Sequence, residues 1–279
     1  MTTSWLAIRH LGHVYADGNV GLADCSLDIA GGSRNVLLGA NGSGKTTLLQ
    51  HINGLLRPSC GAIQFDGKTI DYSRSGLTTL RRRVGLVFQN PDRQLISATV
   101  MEDVSFGPLN LGLDEATVRR RVEEALTVVG MSGLAERPLH RLSFGQKKRV
   151  CIAGVLAMQP DLLLLDEPMA GLDASMQTEL LAVLDELTAR GITIVLSTHD
   201  VDFAYRWADA IHLLSEGRCV ASFAANQLEA QATALAAARQ PLPAVVDLQQ
   251  ALVRRGLLPA DAAPRSLEAL LAMLAAVPP

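Results

Sequence analysis

Apolar positions along the chain cluster in a few short runs. Leu162-Leu163-Leu164-Leu165 is uninterrupted, and Thr193 to Ser197 repeats the pattern. Such runs predict strands buried on both faces of a parallel sheet. Met176 to Ala189 between them reads as a crossover helix, so strands and helices alternate as in a doubly wound α/β domain. Asn35-Val36-Leu37-Leu38 is a shorter apolar strand entering a glycine-rich turn, after which Lys45 to Asn53 has helical composition. Val84 to Phe88 is a further strand, followed by the polar stretch Gln89 to Gln94 and a helical zone reaching roughly Met158. Within that zone Arg119/Glu123 and Arg120/Glu124 stand four apart on what reads as a solvated helix face. Between Trp5 and about Ile29, short apolar segments broken by Gly12, Asp17-Gly18-Asn19 and Gly21 predict antiparallel strands and turns.

Beyond about Ala221 alanine accumulates, and Pro241, Pro243, Pro259, Pro264, Pro278 and Pro279 divide the chain into short helical pieces. Leu257, Leu258, Leu267, Leu270, Leu271 and Leu274 of this appendage either pack on the preceding domain or meet the same helices of a second copy. The 48% hydrophobic and 19% charged content suits a globular chain and excludes disorder, collagen and coiled coil. A net charge of -3 offers no field for nucleic acid or an anionic bilayer, so any phosphate binding must be local. Arg81-Arg82-Arg83 are read as solvated cations. Cys25, Cys60, Cys151 and Cys219 are too scattered for a zinc cage or a disulfide framework, which fits a reducing cytoplasm. The start, MTTSWLAIRH, lacks the charged and apolar regions of a leader, and no run of about 18 apolar residues occurs, so no direct bilayer insertion is expected.

Gly39-Ala40-Asn41-Gly42-Ser43-Gly44-Lys45-Thr46 matches the phosphate-loop pattern G-x-x-x-x-G-K-[ST], in the strand-to-helix setting it requires. Glycines let backbone N–H groups curl around phosphates, and the helix start near Lys45 adds a positive dipole end. Lys45 is placed to reach the β- and γ-phosphates, and the Thr46 hydroxyl is a hard oxygen ligand for Mg²⁺; Thr47 belongs to the same binding stretch. Asp166 and Glu167 close the buried leucine strand, where ligands of open α/β sheets gather. Asp166 suits the magnesium shell, and Glu167 suits a base that orients and polarises an attacking water. A lone Asp-Glu pair is often a solvated turn, but the phosphate loop upstream argues against that here. His199, at a strand end level with Asp166, is assigned to the γ-phosphate, and Gln89, closing the strand Val84 to Phe88, to Mg²⁺ or the water. His10, His13, His51, His140, His199 and His212 show no metal-ligand spacing.

These residues in this order resemble the ATP-binding cassette family, the nucleotide-hydrolysing subunits of ABC transporters. Leu142-Ser143-Phe144-Gly145-Gln146 is similar to the family's LSGGQ motif and lifts the likeness above phosphate-loop enzymes in general. The resemblance spans roughly residues 4 to 220. It implies Tyr15 against adenine, Gln89 as the glutamine loop, Gly171-Leu172-Asp173 as the D-loop, and ATP with Mg²⁺ as cofactors. It also implies that Ser143, Gly145 and Gln146 face a nucleotide held by a second ATPase subunit, in a homodimer or a pair with a related ATPase, that encloses two ATP molecules. Phe144 stands where the family has glycine; Ser143 and Gly145 keep the donors, and the close backbone approach at 144 stays open. The implied fold is a P-loop NTPase cassette over residues 1–222, with a helical subdomain at about 92–158 and a helical appendage at 223–279.

A narrower likeness rests on Phe88 to Leu95, Leu142 to Arg149 and the short appendage: energy-coupling-factor importer ATPases, above all the cobalt-uptake ATPases called CbiO and their nickel counterparts. It implies a transmembrane coupling subunit and a metal-specific membrane component as partners, no nucleic acid, and a peripheral place on the cytoplasmic face of the membrane. Two other readings compete: an ATP-switched scaffold in translation or DNA repair, and a small-molecule kinase. The first lacks the expected paired cassettes, coiled-coil insertion or basic arm, and the second leaves Ser143 to Gln146 unexplained. A vitamin-type importer is a further alternative.

Overall fold

The computed structural model describes residues 5–276; Pro278 and Pro279 of the appendage and the first four residues lie outside them. β1 (Leu6–Val14) and β2 (Val20–Ile29) form the expected antiparallel pair, running from Leu6↔Ile29 to Val14↔Val20 with register shifts beyond Ile8. β3 (Arg34–Leu38) leads through the glycine turn into α1 (Lys45–Ile52). The apolar pattern predicts no element over residues 60–69, yet β4 (Cys60–Phe65) and β5 (Lys68–Thr69) form a hairpin there, and β4 pairs antiparallel with β1. Its turn is Asp66-Gly67, with φ 55° and 73°, the double positive φ that suits the twist of a two-residue hairpin.

α2 (Arg74–Arg83) runs into β6 (Val84–Val87). The helical zone that follows divides into α3 (Val100–Asn110), α4 (Glu115–Val128) and α5 (Phe144–Leu156). Each starts at its own side-chain cap: Thr99, Asp114 and Ser143 accept from the backbone N–H three residues on. Arg120 and Glu124 pair on the exposed face of α4. β7 (Leu162–Leu165), α6 (Ala174–Ala189), β8 (Thr193–Thr198), α7 (Val201–Trp207), β9 (Ala210–Ser215) and β10 (Arg218–Ala224) complete the alternation. β10 thus extends past residue 222, where the sequence reading placed the start of the appendage.

Among the described residues the strands lie in the order β5-β4-β1-β2-β10-β9-β3-β8-β7-β6. The run β9-β3-β8-β7-β6 is parallel throughout. β10 is antiparallel to β9 and meets β2 at the single pair Arg218↔Asp24, which joins the antiparallel strands to the parallel core. Alternate residues of the central strands enter opposite cores, since strand side chains alternate in direction. Val36, Leu38, Leu163, Leu165, Ile194 and Leu196 join the helical side with α3 to α7, while Leu37, Leu162, Leu164 and Val195 join α1 and the antiparallel strands. All four leucines of β7 are fully buried, each contributing about 1.5–3 kcal/mol.

α8 (Ala232–Ala237), α9 (Ala244–Arg254) and α10 (Leu267–Ala275) build the C-terminal part. Leu258 and Leu270 are buried in the same core as Val201 and Tyr205 of α7, so this part packs on the main body. Leu257, Leu267 and Leu271 face outward. The Arg265 guanidinium donates to the carbonyls of Tyr205 and Ala208, and the Ala244 amide donates to Asp202 Oδ1 at 2.7 Å. Among the described residues no helix is long and apolar enough to cross a membrane.

Candidate functional site

β3 ends inside the parallel run, flanked by β8 and β9, and residues 39–44 carry the chain from its C-terminal edge into α1. Two positions in this turn admit no side chain. A Cβ on Gly39 would lie 2.4 Å from Leu214 O and 2.6 Å from Ser43 Oγ, and Gly44 has φ 103° with Gly21 O 2.8 Å from where its Cβ would stand. α1 begins with no side-chain cap and no acidic residue in its first turn, leaving its first amides for an incoming anion. The Ser43 hydroxyl is buried and has no partner among the described residues. Lys45 is buried, and its Nζ donates to Gly39 O at 2.7 Å and Ala40 O at 3.0 Å. Burial draws the Lys45 pKa down, against the opposing pull of the Glu167 carboxylate. Open amides, an orphaned hydroxyl and a buried ammonium in one turn fit the phosphates of a nucleotide. Ala40, Asn41, Gly42 and Thr46 line its exposed rim.

Asp166 follows β7 at the same edge of the sheet. Thr46 Oγ1 donates to its Oδ2 at 2.8 Å, and Ser197 Oγ donates to its Oδ1 at 2.6 Å. Asp166 is buried, and among the described residues neither of its oxygens is in an ion pair. A desolvated carboxylate beside hydroxyl oxygens is a donor set of hard atoms, which fits Mg²⁺. Glu167 lies next to it with φ 44°, an uncommon left-handed backbone for a residue with a side chain. Its amide donates to Ser197 Oγ at 2.8 Å, and its Oε1 stands 3.6 Å from Lys45 Nζ and 3.3 Å from His199 Nδ1. The Glu167 side chain is 11% exposed against 60% for His199, so the carboxylate is held inside while the imidazole faces solvent. Lys45, Thr46, Asp166, Glu167 and His199 therefore form one connected cluster.

The other sequence-selected residues lie around it. Tyr15 Oη bonds Thr47 Oγ1 at 2.8 Å, and its ring packs edge-on against His13 with centroids 4.6 Å apart. Gln89 is exposed, two residues past Val87, which pairs with Leu165 of β7. Ser143 is the N-cap of α5 in a reciprocal box with Gln146: Gln146 N donates to Ser143 Oγ at 3.2 Å, and Ser143 N to Gln146 Oε1 at 3.0 Å. Ser143 is exposed, whereas Gly145 is buried, its missing Cβ leaving room for Met176 Sδ at 2.7 Å. Asp173 caps α6 by accepting from Met176 N. Among the described residues, no group of three His, Cys, Asp or Glu side chains is placed to hold a further metal ion.

Sequence reasoning passed over Ser197, which it treated only as the end of a strand. Ser197 is fully buried, and its hydroxyl serves both Asp166 and Glu167. The signal was a hydroxyl within a run of residues expected to be buried on both faces, where a polar group demands a partner.

Residues 22–170 match the family model described as ABC transporter. The chain is 48% identical over 274 residues, 98% of each chain, to the cobalt import ATP-binding protein CbiO of Rhodobacter capsulatus. It is 43% identical over 251 residues to the energy-coupling factor transporter ATP-binding protein EcfA of Methanothermobacter thermautotrophicus, covering 90% of this chain and 81% of that one. Among solved structures, it superposes with a TM-score of 0.76 on cbiO1 from Clostridium perfringens, part of the ABC transporter complex cbiONQ, at 43% identity over 88% of this chain and 99% of that one. An ATP-binding cassette solved as a dimer in a post-hydrolysis state with ADP and Pi matches with a TM-score of 0.71 at 29% identity, over 79% of this chain and 98% of that one.

Proposed function

The chain belongs to the ABC transporter family as an ATP-binding subunit of the energy-coupling type, an ATPase coupled to transport, and from that premise we propose that it drives import of cobalt or nickel ions. The observation that carries the metal reading is the likeness to the cobalt import protein along 98% of both chains, the C-terminal helices included. Cargo choice then falls to a metal-specific membrane component, and force passes through a transmembrane coupling subunit at the cytoplasmic face. A groove of about 590 Å³ beside β6, α3 and α5 supports such docking: it is lined by Leu55, Phe88, Ile96 and Phe106, of which Ile96 is 68% and Phe106 52% exposed.

The site residues supply the work. Residues 39–46 cradle the β- and γ-phosphates, with Lys45 as the buried point charge. Thr46, Asp166 and Gln89 would hold Mg²⁺, which would supply positive charge to the phosphate oxygens. Glu167 accepts the proton of a water that attacks the γ-phosphorus, leaving ADP and phosphate, and His199 contacts the same phosphate from the solvent side. Tyr15 covers adenine, with Thr47 fixing its hydroxyl. Ser143, Gly145 and Gln146 complete the pocket of a second copy, with Asp173 beside that boundary. ATP binds the closed pair more tightly than the open one, and this difference is what moves the membrane partners.

The test is reconstitution with the membrane proteins encoded beside this chain in vesicles, followed by uptake of radioactive cobalt and nickel. ATP-dependent uptake that Glu167→Gln abolishes supports the reading. Uptake of a vitamin with neither metal would replace the cargo, and ATPase activity with no membrane partner would favour an ATP-switched scaffold.

A further inference from the structure

Lys148 has no part in the chemistry above, yet it is the largest side chain among the fully buried residues, at 1% exposure. Among the described residues it forms no ion pair. Its ammonium instead donates to Pro168 O at 2.7 Å and Ala170 O at 3.0 Å, with Glu167 O at 3.5 Å. A buried charge without a counter-ion is costly, and burial draws the Lys148 pKa down to about 8. An apolar side chain of similar length would fill the space without that cost. What the lysine adds is a set of donors aimed at the stretch that follows Asp166.

Both ends of this link matter. Lys148 sits on α5, five residues past Ser143. Its carbonyl partners begin at Glu167, whose left-handed backbone persists only where surrounding bonds fix it. Ser197 fixes the amide side of Glu167, and Lys148 faces the carbonyl side. Phe144 lies over the same junction. The Lys148 ammonium is 5.3 Å from its ring centroid, and a Cβ on Gly171 would meet the ring at 3.0 Å. The residue that departs from the family's glycine thus packs back onto the loop before α6.

We propose that Lys148, with Phe144 laid over it, is a positioning residue that joins the helix presenting Ser143 to the loop presenting Glu167. Resting on the dimeric reading above, this makes one side chain the link between the pocket that a protomer owns and the pocket that it completes on its partner. A shift of α5 toward the partner's nucleotide pulls on the carbonyls of residues 167–170 and resets the base at home.

The experiment compares the wild-type chain with Lys148→Met, Lys148→Gln and Phe144→Ala, measuring ATP turnover against ATP concentration and fluorescent-ATP affinity in EDTA. Lys148→Met should lower kcat by about 30-fold or more, since misplacing a catalytic group by an ångström costs about 100-fold. KM and nucleotide affinity should stay within about threefold, because the phosphate loop is untouched. The Hill coefficient should fall from above one to one. Lys148→Gln, which keeps amide donors, should recover part of the turnover, and Phe144→Ala, at a partly exposed position that tolerates folding, should lower the Hill coefficient and reduce kcat less than Lys148→Met does. Wild-type kcat and cooperativity in whichever variants fold, or a wild-type Hill coefficient of one, would overturn the proposal. Glu167→Gln run in parallel separates the two readings. A Glu167→Gln chain that stays monomeric with ATP sinks the dimer; one that dimerises beside a fully cooperative Lys148→Met chain sinks the link alone.

Discussion

The Ser197 hydroxyl donates to Asp166 Oδ1 at 2.6 Å from the neighbouring strand. Because the same oxygen accepts the Glu167 amide, Ser197→Ala removes two bonds from buried groups at once. Each unsatisfied buried group costs about 1–3 kcal/mol, so the urea midpoint should fall visibly. Groups that orient metal ligands typically change metal affinity by about 10–100-fold, and the magnesium concentration for half-maximal turnover should rise accordingly. Magnesium titrations of the ATPase check this; an unaltered requirement would confine Ser197 to a structural part in β8.

Gly39→Ala places a methyl group into Leu214 O and Ser43 Oγ. The Leu214 carbonyl is backbone and cannot swing aside, so the turn must move. Overpacking of this kind costs about 1–3 kcal/mol in stability. Nucleotide affinity should drop by more than tenfold, since each 1.4 kcal/mol is about a factor of ten. Titration with a fluorescent ATP analogue reads the loss, and wild-type binding would show that the turn has slack.

His212 is wholly buried between β3 and β10, with Nδ1 2.9 Å from Ser222 Oγ and Nε2 3.3 Å from Asn35 Oδ1. These partners satisfy the neutral ring, and burial pushes its pKa down to about 4 from the usual 6.5. The unfolded chain therefore binds the proton first. Stability is complete above pH 6.5 and drains away as pH falls toward 4, by on the order of 3 kcal/mol over the whole span. Melting temperatures from pH 7.5 to 4.5 should decline more steeply in the wild type than in His212→Gln. Parallel profiles would mean that another group governs the acid limb.

Arg265 ties the segment before α10 to the end of α7 through the carbonyls of Tyr205 and Ala208. Arg265→Met keeps the aliphatic stem and removes the charged donors, a loss of about 1.5–3 kcal/mol for bonds of this kind. Hydrogen exchange should quicken first in α7 and α10, the two elements that the guanidinium joins. Acceleration confined to β1 and β2 would contradict the linkage.

The parallel core and the phosphate loop were legible because their signals are local: uninterrupted leucines in β7, and a glycine pattern between strand and helix. The β4–β5 hairpin was overlooked although Asp66-Gly67 marks its turn, because β5 is only two residues long and carries no apolar run. β9 escaped for a different reason. His212 and Ser215 interrupt its apolar pattern, and His212 is tolerated inside only because Asn35 and Ser222 meet it from adjacent strands. Lys148 is the sharpest case. In sequence it is one of two adjacent lysines, and only the fold separates Lys147, paired with Asp92 at the surface, from its buried neighbour. For the appendage, sequence left two partners open; the buried Leu258 and Leu270 belong to the same chain's core, while Leu257, Leu267 and Leu271 face away from it.

β3 draws both of its neighbours from the far half of the chain, β8 and β9 at residues 193–198 and 210–215. Pairings between such distant segments form late, after long loops have closed. On the ribosome, the glycine turn emerges early and must wait for most of the remaining chain before its carrying strand has a place to lie. A product released before residue 193 carries the whole phosphate-loop sequence and no phosphate site, so premature termination yields no partial ATPase to compete for nucleotide.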